Sequence, residues 1–309
     1  MVDPTETRRL RTAELLSIGT ELTVGETRDT NASELGRSLT RLGVRIVRMT
    51  VLPDDLDAVS RAFADGLERV DLVVSTGGLG PTPDDLTREA IAAVCAEEPV
   101  IDPAIEGWLR ELWARRDLPF PAINLKQAWL IPSASALANP NGTAPGWFVT
   151  RPDGRVAIAL PGPPPEMRPM WANEALPRLA PLGLGDDVVS RTYRLTGIGE
   201  SQLAGLLGEP LLRGTNPVVA TYARADAVDV RISASSERVG PDHDGLSLTA
   251  TEAIVEATAE RVLERIGEYV WATGETTWSG AIGERLGELG WTLGVVEVGT
   301  GGSVAALLG

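Results

Sequence analysis

The stretch STGGLGPTPDDLT, residues 75–87, follows the short apolar run Leu72, Val73, Val74 and leads into a segment of helical spacing over residues 86–95. A glycine-rich loop that joins the end of a buried strand to the start of a helix lies where open α/β sheets bind ligands. Gly77, Gly78 and Gly80 allow positive φ and a close approach of backbone to ligand, and the free N–H groups of the following helix favour an anion such as phosphate. Asp85, at or near that helix start, has two available jobs. It can cap the helix, or it can hold a divalent cation between carboxylate and phosphate, which otherwise repel each other.

Upstream, residues 13–18 form an apolar run broken only by Glu14 and Ser17, followed by the polar turn GTELTVGETRDTN at 19–31. A helix starts at a cap on Thr30 or Asn31, with Glu34 at capping-box distance from Asn31, and shows Leu35, Leu39 and Leu42 on one face until Gly43. Residues 44–51 read as a second strand, and residues 56–70 carry Val59, Phe63 and Leu67 at helical spacing. Strand, helix, strand, helix, strand predicts a parallel sheet with helices on both faces. The 19–31 turn then opens at the same carboxyl edge as the glycine loop, which makes Glu21, Asp29 and Asn31 neighbours of Asp85. Hard oxygen ligands gathered beside a phosphate loop suit Mg²⁺.

Downstream, residues 147–150 and 156–160 are joined by RPDG and suit a hairpin. PGPPPEM at 161–167 precedes a helix to about residue 179, and the Gly- and acid-rich residues 180–187 read as a linker. Residues 191–195, 227–233 and a long helix over 248–266 suggest a small α+β module. The tail holds a helix-like AIGERLGEL, a strand-like TLGVVEV and then GTGGSVAALLG; at about 35 residues it is too small to bury its own core. It is therefore expected to be mobile or to cover Val295, Val296 and Leu307 against another subunit.

Composition narrows the chemistry. The 309 residues hold 28 Lys plus Arg against 43 Asp plus Glu, a net charge of -15, so the chain is not a general polyanion binder. A single cysteine, Cys95, and a single histidine, His243, exclude an internal disulfide and make a His- or Cys-based metal site implausible; His243, between two aspartates, reads as an exposed loop residue. Lys126 is the sole lysine and follows Leu125, which rules out a Walker A loop. The charged amino terminus has no secretory apolar core and no run is long enough to cross a bilayer, so the expectation is a soluble, cytoplasmic protein with no membrane partner.

The turn at 19–31, the STGGLGPTPDDLT loop, NLKQAWLIPSASALANPNGTAPG at 124–146 and LPGPPPEM at 160–167 together resemble the amino-terminal domain of the CinA family, competence/damage-inducible protein A. That domain is similar to the molybdopterin-binding MoaB/MogA fold. TGIGES at 196–201 extends the resemblance into the family's KH-like middle domain. The organisation implied is a MoaB/MogA-like domain over residues 1–180, a KH-like α+β domain over 187–273 and the start of a carboxyl-terminal domain over 275–309.

The resemblance implies a metal-dependent pyrophosphatase that cleaves ADP-ribose to AMP and ribose 5-phosphate in pyridine nucleotide salvage, with a homodimer as the usual assembly. It places Thr76, Gly77, Gly78 and Gly80 in the phosphate loop, Asp85 as its acidic residue, and Glu21, Asp29 and Asn31 in the first-strand motif. Lys126, Asn139, Gly142 and Thr143 fall in the NxKQA and GTAPG motifs. The expected mechanism has a divalent metal, Mg²⁺, held by Asp85 with Glu21 or Asp29, while Lys126 neutralises the leaving phosphate. Two other readings stand beside it: a molybdopterin binder or adenylyltransferase, and a non-catalytic remnant that docks a partner.

Longer members of the family carry a nicotinamide mononucleotide deamidase domain whose serine nucleophile lies in an AESCTGG-like motif. In VVEVGTGG at 295–302 Glu297 is retained but Val298 stands at the serine position, and valine cannot attack an amide carbon. The chain also stops before the rest of such a domain, so deamidase activity is not expected. GIGE at 197–200 lacks the GXXG loop that clamps a nucleotide backbone, so no nucleic-acid partner is expected either.

Overall fold

The computed structural model describes residues 8–185, 188–224, 227–235, 248–274 and 276–308. The chain divides into two compact units, Met1–Asp186 and Asp187–Gly309. In the first, the order is β1 (Thr12–Ile18), α1 (Thr20–Thr23), α2 (Asn31–Arg41), β2 (Arg45–Leu52), α3 (Leu56–Arg69), β3 (Leu72–Thr76) and α4 (Thr87–Cys95). There follow β4 (Val100–Ile101), α5 (Pro103–Ala114), β5 (Trp129–Leu130), β6 (Ala134–Leu137), β7 (Gly146–Thr150), β8 (Val156–Leu160), α6 (Pro164–Met170) and α7 (Leu176–Leu179).

The main sheet runs β2-β1-β3-β8-β7-β6. Strands β2, β1, β3 and β8 are parallel, and β7 and β6 add an antiparallel edge through the expected hairpin. Both faces are covered because successive side chains of a strand point opposite ways. Ala13 and Leu15 of β1 join Leu35 and Leu39 of α2 with Met167, Met170 and Trp171 in one core layer. Leu16 and Ile18 join Val59, Phe63 and Leu67 of α3 with Ala90 and Ile91 of α4 in the other. The result is the three-layer α/β architecture that the sequence predicts.

Two local expectations are corrected. Thr30 makes no side-chain cap on α2; Asp29 Oδ1 instead accepts from the Ala32 amide at 3.0 Å. Glu34 closes no capping box, because its carboxylate accepts from Arg168 Nε at 2.8 Å. Residues 180–187, read as a linker, contain the boundary between the two units, and their first part is tied to the first unit: the Leu10 amide donates to the Gly183 carbonyl and the Gly185 amide to the Leu10 carbonyl, both at 2.9 Å.

The second unit holds β9 (Val188–Leu195), α8 (Glu200–Leu207), α9 (Glu209–Leu212), β10 (Val218–Ala223), β11 (Val228–Ser235), α10 (Leu248–Ile266), β12 (Val270–Thr273), α11 (Trp278–Leu289) and α12 (Ser303–Leu308). Its antiparallel sheet, β10-β11-β9-β12, packs Leu195, Val230 and Ile232 against Leu203 and Leu207 of α8 and Val255, Ala259 and Val262 of α10. Residues 292–298, expected to be strand-like, form no strand, and Val296 and Val298 are 93% and 90% exposed. His243 lies outside the described residues. No helix among the described residues is long and apolar enough to cross a membrane.

Candidate functional site

The sheet order places β1 between β2 and β3, so connections leave β1 and β3 toward opposite sides and open a crevice at their carboxyl ends. A hollow of about 380 Å³ lies there. Its walls come from loops after three parallel strands: Ile18, Gly19 and Glu21 after β1, residues 77–81 with Asp84 and Asp85 after β3, and Pro161, Gly162, Pro163 and Glu166 after β8. Asp54, Gln127, Thr143 and Ala144 complete it. Of the residues singled out in the sequence, Glu21, Gly77, Gly78, Gly80, Asp85 and Thr143 are thus brought together.

The glycine loop is shaped first by protein contacts. Gly77 and Gly78 have φ of +99° and +64°. A Cβ on Gly77 would run into the Ile18 carbonyl oxygen, and one on Gly78 into the Thr87 hydroxyl. Thr87, fully buried, donates from Oγ1 to the Gly77 carbonyl at 2.9 Å and from its amide to the Gly78 carbonyl at 3.2 Å. A Cβ on Gly80 would occupy the place of the Asp85 carboxylate.

Asp85 caps nothing on α4, whose N-cap is Leu86. Its Oδ2 accepts from the Thr82 amide at 2.9 Å and the Thr82 hydroxyl at 2.5 Å, which folds the carboxylate back across the PTPDD turn. The same Thr82 hydroxyl, together with Asp84's own amide and the Lys126 charge, holds the neighbouring Asp84 carboxyl below the usual carboxylate range. Asp54 Oδ2 accepts from the Thr20 amide at 2.8 Å and the Thr20 hydroxyl at 2.9 Å, tying the turn after β1 to the loop after β2.

Other predicted site residues stand outside the hollow. Asp29 is spent on structure: its Oδ2 accepts from Ser17 Oγ at 2.6 Å while Oδ1 caps α2. Asn31 donates from Nδ2 to the Gly162 carbonyl at 2.7 Å and so supports the wall after β8 from behind. Thr76 is buried within β3, registered between Ser17 and Leu160. Lys126 is neither a free cation nor a surface side chain: its ammonium lies 2.6 Å from Glu89 Oε1, donates to the Thr82 carbonyl at 3.3 Å, and its side chain is only 12% exposed. Gly142 lets the Glu166 carboxylate pass where a Cβ would stand. Asn139, buried, donates from Nδ2 to Glu166 Oε2 at 2.7 Å and to the Ala144 carbonyl at 2.9 Å.

Several site residues escaped the sequence reading. Within NxKQA the working side chains are Asn124 and Gln127: Asn124 Nδ2 donates to Gln127 Oε1 at 2.8 Å, and Gln127 Nε2 donates to Thr143 Oγ1 at 3.1 Å. Because Thr143 Oγ1 is already accepting, its own proton is left for a ligand in the hollow. Glu166 and Asp54 were also missed, as was Arg88. The Arg88 guanidinium is fully buried and donates to the Leu79 carbonyl at 2.7 Å and the Pro145 carbonyl at 2.9 Å. Burial lowers its pKa to about 10 against the attraction of Glu89 and Asp85, so it stays charged at neutral pH.

Five carboxylate residues, Glu21, Asp54, Asp84, Asp85 and Glu166, therefore line a hollow whose walls include no lysine or arginine. Two opposing effects can be weighed. Amides at a helix start favour an anion by about 0.3–1 kcal/mol. A carboxylate about 4 Å from a phosphate oxygen opposes it by about 4 kcal/mol at an effective dielectric of 20. Repulsion wins unless a cation accompanies the anion. Among the described residues no group of three or more His, Cys, Asp or Glu is arranged to hold a metal ion. Mg²⁺ in general takes one or two carboxylates together with substrate phosphate oxygens rather than an all-protein cage.

Residues 14–181 match the family described as "Probable molybdopterin binding domain", and residues 190–272 match the KH domain of damage-inducible protein CinA. The chain is 48% identical to a CinA-like protein of Deinococcus radiodurans over 96% of its own length and 70% of the relative's. It is 43% identical to a CinA-like protein of Thermomicrobium roseum over the same shares of both chains. Among solved structures, the protein CinA from Thermoplasma acidophilum is 35% identical with a TM-score of 0.51, covering 56% of this chain and all of that one. The motifs at 19–31, 75–87, 124–146 and 160–167 all lie within the first matched region and TGIGES within the second, and the chain belongs to the CinA family.

Proposed function

We propose that the hollow at the carboxyl ends of β1, β3 and β8 binds the diphosphate of a nucleotide together with Mg²⁺ and hydrolyses it, with ADP-ribose as substrate and AMP and ribose 5-phosphate as products. The observation that carries this reading is the glycine loop opening onto five carboxylates with no lining cation. An anion-binding loop set in so acidic a hollow makes chemical sense for a phosphate that arrives with a divalent metal.

Asp85 and Glu21 are the residues to hold the metal, with Asp84 beside them kept ionised. A divalent metal held there would supply neutralisation of phosphate charge and polarisation of a phosphoryl oxygen. The chain's own groups do the rest. Amides of the glycine loop orient the diphosphate, and the Thr143 hydroxyl, fixed by Asn124 and Gln127, donates to it. Glu166, with Oε2 engaged by Asn139, keeps Oε1 to orient a water or accept its proton. The water oxygen bonds to one phosphorus as the bridging oxygen leaves with the other phosphate, and the entropy lost in alignment is met on binding. Lys126 takes no direct part in this scheme, since Glu89 already neutralises it.

The test is the purified 309-residue chain with ADP-ribose, with Mg²⁺ or with EDTA. AMP and ribose 5-phosphate in equal amounts, only with metal, are expected. No release of AMP under any divalent cation would sink the proposal. The match of residues 14–181 to a molybdopterin-binding family favours a second reading, in which the same loop holds a pterin phosphate. Adenylyl transfer from ATP to molybdopterin, without ADP-ribose turnover, would select it.

A further inference from the structure

We infer that Arg88 is a positioning residue that sets the width of the hollow by bracing two of its walls from beneath. One guanidinium reaches two loops that are distant in sequence: Nη1 donates to the carbonyl of Leu79 in the glycine loop, and Nη2 to the carbonyl of Pro145, which follows Thr143 and Ala144. Leu79, Thr143 and Ala144 all line the hollow. Both bonds are at 2.7–2.9 Å, the range of charge-assisted hydrogen bonds, and a side chain with no exposed surface holds them away from competing water. Only the planar fork of arginine serves two carbonyls at fixed spacing; a lysine ammonium keeps the charge and cannot reproduce the fork.

The arrangement also solves a problem of the site. The walls carry carboxylates and no cation, and Lys126 is committed to Glu89. A permanently charged group behind the glycine loop offsets some of the repulsion between Asp85 and an incoming phosphate without occupying space in the hollow. Burying it is tolerable because both carbonyls and the nearby carboxylates of Glu89 and Asp85 stabilise the charged form.

The inference draws on the hydrolase reading for its substrate alone, so its test has an arm that needs no turnover. Hydrogen exchange of the full chain is compared for wild type and Arg88→Lys over residues 79–85 and 143–146, with α3 and α10 as internal controls. Acceleration of about tenfold in both segments, with the controls unchanged, is expected for the loss of one charge-assisted bond. If either segment is unaffected, or if α3 accelerates equally, Arg88 is not a brace between these two walls. In parallel, Arg88→Lys should raise KM for ADP-ribose with Mg²⁺ about tenfold and change kcat by less than about threefold. A kcat loss with KM intact would overturn the positioning role. Should wild type turn over no ADP-ribose, the proposed function fails while the exchange arm still decides the brace.

If Arg88→Lys does not fold, wild type suffices. The Nη protons of Arg88 should give resolved nitrogen-correlated signals protected from exchange. A single averaged signal in rapid exchange with water would overturn the brace.

Discussion

Two glycine-rich loops in this chain look alike as text and differ in what surrounds them. In TGGLG, at residues 76–80, each glycine is crowded: a Cβ would meet the Ile18 carbonyl at Gly77, the Thr87 hydroxyl at Gly78 and the Asp85 carboxylate at Gly80. In GTGG, at residues 299–302, Gly299, Gly301 and Gly302 also have positive φ, of +82°, +61° and +84°, but nothing lies within 4 Å of a Cβ built on any of them. The first loop is shaped by its surroundings and opens onto a lined hollow. The second is an exposed turn held by one side chain: Glu297 accepts from Thr300 Oγ1 at 2.8 Å and from the Val304 and Ala305 amides at 2.7 and 3.0 Å. Glycines report a permissive backbone; only the neighbours show what the permission is for.

Gly77→Ala is the sharpest way to break that contrast. It forces a Cβ against the Ile18 backbone at a φ that alanine avoids, so we expect a loss of about 3 kcal/mol or more, read as a lowered denaturant midpoint. A midpoint equal to wild type would mean that the first loop is as unconstrained as the second. Asp85→Asn comes next. Its amide oxygen can still accept from Thr82, so thermal stability should change little, whereas ADP-ribose hydrolysis with Mg²⁺ should fall about 100-fold or more. Equal rates in the two proteins would leave the non-catalytic remnant as the better account.

The other two tests concern the second loop. The hydrogen bond from Thr300, then those from the Ala305 and Val304 amides, hold the Glu297 carboxyl below its ordinary value of 4.5. A carboxyl with a lowered folded pKa contributes stability that is present above its unfolded pKa and lost as pH falls through the folded one. Helical amide shifts of Val304 and Ala305 should therefore persist at neutral pH and disappear in acid below about 4.5. Signals unchanged down to pH 2 would show that Glu297 does not hold the turn. The smallest effect is expected from Gly301→Ala, a local cost of about 1 kcal/mol from left-handed backbone, with ADP-ribose turnover unaltered. A loss of turnover comparable to that of Asp85→Asn would show that the two loops share a function.

What could be read from the sequence follows the range of the interactions concerned. The first domain's strands and helices were legible because Leu35 and Leu39, or Val59, Phe63 and Leu67, repeat at helical spacing, and the apolar core of β3 is bounded by turns. TLGVVEV misled, because alternation marks a strand only where a neighbouring strand accepts its hydrogen bonds, and none of the described residues does so here. At the site, residues already adjacent in the sequence, such as Gly77, Gly78, Gly80 and Asp85, were legible, and so was the meeting of Glu21 with them at one sheet edge. Asp29 and Lys126 have the chemistry that the expected mechanism requires, but Ser17 and Glu89 engage them, and such pairings are invisible in one dimension. The contacts from Arg88 to Pro145 and from Asn139 to Glu166 cross 57 and 27 positions and needed coordinates.

The Asp85 carboxylate stands where a side chain on residue 80 would have to go. A methyl group added at position 80 would push that carboxylate aside, an adjustment at the flexible end of one side chain, so the glycine keeps clear the spot on which the acid rests.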